Sequence, residues 1–196
     1  PVPAQAPERL VVIGASTGGP RALQRVLGQL PADFPFPILV VQHIASGFTH
    51  GLGEWLSGET RLRVAVARDG EGLVAGRIYI APENHHLLPG RQTIHLSDTP
   101  RTTPIPSVDV TMHAAARTFG RRTVGVLLTG MGSDGAQGLL SVRRAGGVTI
   151  VQDQSSSTIF GMPRAAIEAG AAQQVLSLEE IAAAILQAAT AGVTRS

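Results

Sequence analysis

Short apolar runs alternate along this chain with stretches whose apolar positions recur at helical spacing. Leu10–Ile13 is a continuous apolar run of the kind that fills a buried parallel strand. It ends in Gly14-Ala-Ser-Thr-Gly-Gly19, and Pro20 stands where a first helical turn accepts it. Leu23, Val26, Leu27 and Leu30 then repeat at helical spacing up to Pro31, so the opening unit reads as strand, Gly-rich turn, helix. Pro37–Gln42 predicts a second strand ending at His43, Phe48–Leu56 a short helix and Val64–Ala67 a strand. Arg77–Ile80 and Thr93–Leu96 bracket Ala81–Gly90 and predict a hairpin or an insertion. Ser97–Pro106, rich in Thr and Pro, predicts an exposed loop. Ser107, followed by the early acid Asp109, is a plausible N-cap for a helix running to about Phe119. Thr123–Leu128 is a further buried strand and Thr129–Gly135 a second Gly-rich turn. The remainder predicts a helix at Gly138–Ala145, a strand at Val148–Val151, a polar loop at Gln152–Thr158 and a helix at Pro163–Ala169. A short strand at Gln174–Leu176 and an amphipathic helix at Ser177–Ala189 complete the pattern.

Strands alternating with helices imply an α/β fold: a doubly wound, mostly parallel sheet with helices on both faces. No repeat or internal boundary divides residues 10–190, which read as a single domain. Residues 1–9 read as a linker or unstructured start, with room for something ahead of it, and residues 191–196 as a tail. In such folds ligands gather beyond the carboxyl ends of the strands. Gly14–Gly19, His43 and Thr129–Gly135 all fall at that edge.

Composition narrows the classes. With 43% hydrophobic and 15% charged residues, the chain is too apolar to be disordered. No apolar run approaches the roughly 18 residues that span a bilayer, and Pro1–Arg9 lacks a signal-peptide layout. The expectation is therefore no membrane insertion and a cytoplasmic location. The absence of Cys excludes disulfides and thiolate metal sites and fits a reducing compartment. Every cation is Arg, yet the net charge is only +2, and aromatics at 4% are too few for base-stacking platforms. Nucleic acid is not an expected partner; a mildly basic face could suit an acidic protein.

Gly14-Ala15-Ser16-Thr17-Gly18 is a G-x-S-x-G sequence between a strand and a helix. A sharp turn there pushes the Ser hydroxyl out at the sheet edge, and the helix start offers free N–H groups to an oxyanion. The motif alone is also compatible with anion or nucleotide binding and with plain helix capping. The nucleotide reading is weakened because the second strand ends in Gln42-His43 rather than an acid, and G-x-G-x-x-G and a phosphate-loop Lys are absent. A lone His is more often structural, but His43 shares the edge of Ser16 and has the chemistry of a general base. Asp134 in the second Gly-rich turn is the best-placed acid to orient it, against the alternative of a local Asx turn. Asp109 and Asp153 are lesser candidates. The order Ser, His, Asp differs from the Ser, acid, His order of α/β-hydrolases. His85 and His86 are adjacent and His50, His95 and His113 scattered, so no metal site is expected.

Taken together, Ile13–Pro20, Val41–Ile44, Tyr79–Pro82, Pro106–Asp109, Leu128–Gly135 and Phe160–Pro163 resemble, in order across about Leu10–Leu186, the catalytic domain of the bacterial chemotaxis receptor methylesterases, the CheB family. The resemblance implies Ser16 as nucleophile, His43 as base, Asp134 as orienting acid, and Thr17 and Met131 near the oxyanion, with no cofactor or metal. It implies hydrolysis of glutamate γ-methyl esters on cytoplasmic chemoreceptor helices, with receptor glutamine deamidation as a companion activity. Family members usually carry an N-terminal receiver domain, which these residues do not include. Ala81-Pro-Glu-Asn-His-His86 departs from the Gly-Asp that often follows Ala-Pro. The alternatives are a non-catalytic anion- or peptide-binding module and an esterase of this fold acting on another protein.

Overall fold

A computed structural model describes residues 7–101 and 104–190. The proposed tail lies outside the described residues, as does most of the proposed linker.

Leu10–Ala15 forms strand β1, and its side chains alternate between two separate cores. Val11, Ile13 and Ala15 face one way and Leu10 and Val12 the other, all fully buried. A strand covered on both faces has no use for polar positions, which is why the run reads as uninterrupted hydrophobic sequence. Helix α1 (Gly19–Leu27) follows, with Pro20 in its first turn. Strand β2 (Ile38–Gln42) then pairs in parallel with β1, Val11 opposite Ile38 through Ala15 opposite Gln42. Next come helix α2 (Thr49–Glu59), strand β3 (Arg63–Val66) and strand β4 (Arg77–Ile80).

In the middle of the chain the insertion alternative holds and the hairpin of Arg77–Ile80 with Thr93–Leu96 does not. Arg77–Ile80 does not pair with the segment near Thr93. It lies inside the main sheet, parallel to β2 and to β3, and Ile78, Tyr79 and Ile80 are buried. The antiparallel hairpin is instead made by β5 (His86–Pro89) and β6 (Ile94–Ser97). The first of these has no clear sequence signal because its apolar stretch is short and follows two adjacent His residues. Leu87 and Ile94 anchor this hairpin in the same core as helix α3 (Val108–Phe119).

Strand β7 (Thr123–Leu127) pairs with the free side of β1. Helix α4 (Ala136–Arg144), strand β8 (Val148–Gln152), helix α5 (Met162–Glu168), strand β9 (Gln174–Leu176) and helix α6 (Leu178–Thr190) complete the fold. The sheet is parallel throughout, in the order β3-β4-β2-β1-β7-β8-β9. Helices α1, α2 and α6 cover one face, and α3, α4 and α5 the other. The doubly wound α/β expectation is thus met.

Strand order reverses between β1 and β7. That reversal opens a crevice at the carboxyl ends, where the loops after neighbouring strands diverge to opposite faces. The turns after β2, β1 and β7 carry His43, Ser16 and Asp134, respectively.

Candidate active site

Ser16 follows β1 directly and is half-buried, with Thr17 exposed beside it. The turn is tight: Gly19 N–H donates to Ser16 O at 2.8 Å, and Gly18 takes a left-handed φ of 80° where a side chain would also strike Thr158. Two further groups hold this turn in place. Gln42 Nε2 donates to Ser16 O and to His43 O, both at 2.8 Å, and so ties the serine turn to the histidine loop. Thr129 Oγ1 is 2.9 Å from Thr17 O, and Ser16 N–H donates to Thr129 O at 3.0 Å. Gly130 then passes so close that a Cβ there would lie 2.7 Å from Ser16 Cβ. Glycine is required for that approach.

His43 begins the loop after β2, and its N–H donates to Ala15 O at 2.9 Å. Its ring meets the acid: Nε2 is 2.8 Å from Asp134 Oδ2, with side-chain exposures of 17% and 11%. An ionised carboxylate only accepts, so Nε2 carries the proton and Nδ1 is left as the basic nitrogen. Among the described residues the Ser16 hydroxyl makes no hydrogen bond to the ring. Such contacts are often long without substrate and tighten in the Michaelis complex.

Asp134 does not make the local Asx turn that competed for it in the sequence. Its side chain crosses to the N-terminus of α3. Oδ1 accepts from Ser107 Oγ at 2.7 Å and Asp109 N–H at 3.0 Å; Oδ2 also accepts from Val108 N–H at 2.7 Å. The two N–H groups are donors that a helix start leaves unpaired, and the helix dipole favours a negative charge there. Burial alone would raise the carboxyl's pKa. The bonds from His43, the Asp109 N–H, the Ser107 hydroxyl and the Val108 N–H outweigh it and hold the group below the ordinary carboxylate range.

Asp109 and Asp153 do not reach His43. Asp109 Oδ1 accepts from Gly138 N–H at 2.6 Å and joins α3 to α4; burial and the Asp134 charge push its pKa up. Asp153 caps its own loop, accepting from Ser155 Oγ and from Ser156 N–H and Oγ. The N–H groups of Thr17 and Met131 have no hydrogen-bond partner among the described residues. Gly130 N–H, by contrast, is taken by Ile159 O at 3.0 Å. A cleft of about 630 Å³ opens beside the His–Asp pair, lined by His43, Asp134, Met131, Ser107, Asp109 and His113 among others, while Ser16 lies outside it.

The sequence model of the family described as CheB methylesterase matches residues 11–185. This chain belongs to that family. A solved structure, the Thermotoga maritima CheB methylesterase catalytic domain, superposes with a TM-score of 0.88 at 40% identity, covering 91% of this chain and 97% of that one. The protein-glutamate methylesterase/protein-glutamine glutaminase 2 of Anaeromyxobacter dehalogenans is 55% identical over 90% of this chain and 52% of its own length. The protein-glutamate methylesterase FrzG of Myxococcus xanthus is 48% identical over 92% of this chain and 55% of its own. The chain thus spans about half the length of the curated relatives it matches.

Within this CheB-family fold, three site residues escaped the sequence reading. Gln42 was visible as a polar residue closing an apolar strand, which signals a buried amide with work to do. Thr129 and Ser107 stood in recognised turns and caps, but their long-range partners have no sequence signature. The rim departs from the usual family pattern at Glu83, and here Glu83 binds the histidine loop: its Oε1 accepts from Gly47 N–H at 2.6 Å and Thr49 Oγ1 at 3.1 Å. The Gly47 bond leads in holding its pKa below the ordinary value. Among the described residues no helix is long and apolar enough to cross a membrane, and no His, Asp and Glu cluster could hold a metal ion.

Proposed function

We propose that this domain hydrolyses glutamate γ-methyl esters on protein side chains through an acyl-enzyme, with Ser16 as nucleophile, His43 as base and Asp134 as its orienting acid. The observation that carries the reading is the part-buried contact between His43 Nε2 and Asp134 Oδ2 at 2.8 Å, on the loop that Gln42 fastens to the Ser16 turn. The relatives named protein-glutamate methylesterase support the choice of substrate.

In the first step Ser16 Oγ bonds to the ester carbonyl carbon, and its proton passes to His43 Nδ1. The free N–H groups of Thr17 and Met131 receive the carbonyl oxygen as it becomes an oxyanion; loss of one such donor typically costs about 10²–10³ in rate. The C–OMe bond then breaks, and His43 returns the proton to the departing methoxide as methanol. A water gives its proton to His43 and adds to the acyl carbon. Collapse frees the glutamate carboxylate and restores the Ser16 hydroxyl. Glutamine deamidation would follow the same course with ammonia as leaving group, in keeping with the glutaminase half of the Anaeromyxobacter relative's name.

The proposed partners are methylated chemoreceptor helices in the cytoplasm, with a receiver domain ahead of this one to account for the relatives' remaining length. Ser16→Ala should abolish methanol release from a methylated chemoreceptor fragment and covalent labelling by a fluorophosphonate, while the circular dichroism spectrum is unchanged. Near-normal turnover by this variant would exclude the mechanism. Labelled Ser16 with no methanol from the receptor fragment would point to an esterase for another protein. Tight anion binding without labelling would favour a non-catalytic module.

A further inference from the structure

His86 opens the β5–β6 hairpin and is completely buried. Both ring nitrogens are bonded. Nε2 is 2.8 Å from Pro100 O, and a carbonyl only accepts, so Nε2 carries the proton. Nδ1 is therefore the acceptor for Ser107 N–H at 3.1 Å. One nitrogen holds the loop that follows the hairpin, and the other holds the first residue of the α3 cap.

Ser107 is where this matters. Its Oγ accepts from Val110 N–H at 3.3 Å and donates to Asp134 Oδ1 at 2.7 Å. The next two N–H groups, from Val108 and Asp109, also end on Asp134. The receptacle for the acid is thus the first turn of one helix, and a hairpin histidine pins the start of that turn. An unbroken line of hydrogen bonds runs from Pro100 O through His86, Ser107 and Asp134 to His43.

We propose that His86 is a positioning residue for ester hydrolysis: by anchoring Ser107 N–H, it fixes where Asp134 sits and hence how His43 presents its basic nitrogen. The inference rests on the triad reading above. Because the two ring nitrogens have separate tasks, they can be separated by substitution. The carbonyl oxygen of Asn reaches the place of Nδ1 and still accepts from Ser107. The amide nitrogen of Gln reaches the place of Nε2 and still donates to Pro100 O, but leaves Ser107 N–H unpaired.

The experiment compares His86→Asn and His86→Gln in methanol release from a methylated chemoreceptor fragment and in turnover of p-nitrophenyl acetate. H86N should keep kcat within about threefold of the parent. H86Q should lose kcat about a hundredfold at unchanged KM, the usual scale for a small misplacement of a reacting group. The two should lose similar stability in urea, since each gives up one buried hydrogen bond. In parallel, the proton resonance of His43 Nε2–H should stay in place in H86N and move or broaden in H86Q. Equal loss of kcat in both variants, or parental kcat and an unmoved His43 resonance in H86Q, would overturn the proposal in favour of a merely structural histidine. If neither variant folds, the parent protein decides: a scalar coupling across the hydrogen bond from Ser107 N to His86 Nδ1 is expected, and its absence overturns the proposal. Failure of the parent to turn over either ester would count against the proposed function, while the resonance measurements would still read the positioning.

Discussion

Replacing Asp134 by Asn removes a charge while changing almost no volume, so the structure predicts its effect with few competing terms. Four donors converge on the carboxylate: His43 Nε2 and Val108 N–H on Oδ2, Ser107 Oγ and Asp109 N–H on Oδ1. An amide has one carbonyl oxygen and one NH2. Whichever way it turns, its NH2 meets a backbone N–H, either that of Val108 or that of Asp109. A buried donor left unpaired costs about 1–3 kcal/mol, and the side chain here is only 11% exposed, so water repairs little of it. Catalysis should suffer more. With the NH2 turned to His43, the ring must accept at Nε2 and carry its proton on Nδ1, which removes the base. With the carbonyl turned to His43, the imidazolium formed during attack has no carboxylate beside it. Loss of tautomer control at an equivalent position in serine proteases costs about 10⁴ in kcat. Methanol release should fall by that order, and the urea midpoint should drop. D134N with kcat within about tenfold of the parent and an unchanged urea midpoint would refute the assignment of Asp134 as the acid and the hydrogen bonding given to it.

Two further outcomes follow from the same geometry. Since the folded pKa of Asp134 lies below its unfolded value of about 3.9, its ionised form stabilises the fold fully above that value, and the contribution is lost as pH falls through the folded pKa. Urea midpoints measured across the acid range should decline less steeply in D134N than in the parent; parallel curves would contradict this. Asp109, raised by burial and by Asp134, works in the opposite sense and does not produce that decline. Gly130→Ala would place a methyl group 2.7 Å from Ser16 Cβ and against Met162 Sδ. It should cost about 1–3 kcal/mol from overpacking and slow fluorophosphonate labelling of Ser16 by about a hundredfold; labelling at the parental rate would show that the close approach does not matter.

The parts of this fold legible in the sequence were those with local causes. Continuous apolar runs such as Leu10–Ile13 mark strands covered on both faces, and helical spacing of Leu23, Val26, Leu27 and Leu30 marks α1. Both signals arise within a few residues of the element they describe. Of the two alternatives for the middle region, insertion and hairpin, sequence does not choose, because pairing is a long-range property. Nothing near Arg77 says that its neighbours will be β2 and β3 rather than the segment at Thr93. The site divided along the same line. Ser16 and His43 stand at strand ends, where the turn itself aims them. Gln42, Ser107, His86 and Thr129 act through partners 21 to 112 residues away. Spacing along the chain carries no record of such contacts.

The competition at Asp134 shows why a long-range contact can defeat a local one. An aspartate in a Gly-rich turn ordinarily satisfies itself on its own backbone, at no cost in chain order. Here the first turn of α3 offers two backbone N–H groups, a serine hydroxyl and the field of the helix, all in a part-buried setting where such bonds are stronger than in water. The helix start needs an acceptor as much as the carboxylate needs donors, so each resolves the other's deficit. Both are brought together by topology. Because β7 pairs with β1 and β2 pairs with β1 on the other side, the loops after β2, β1 and β7 must emerge side by side. The order Ser, His, Asp along the chain is then the order in which this sheet is wound, and differs from the order in α/β-hydrolases without any difference in the chemistry proposed.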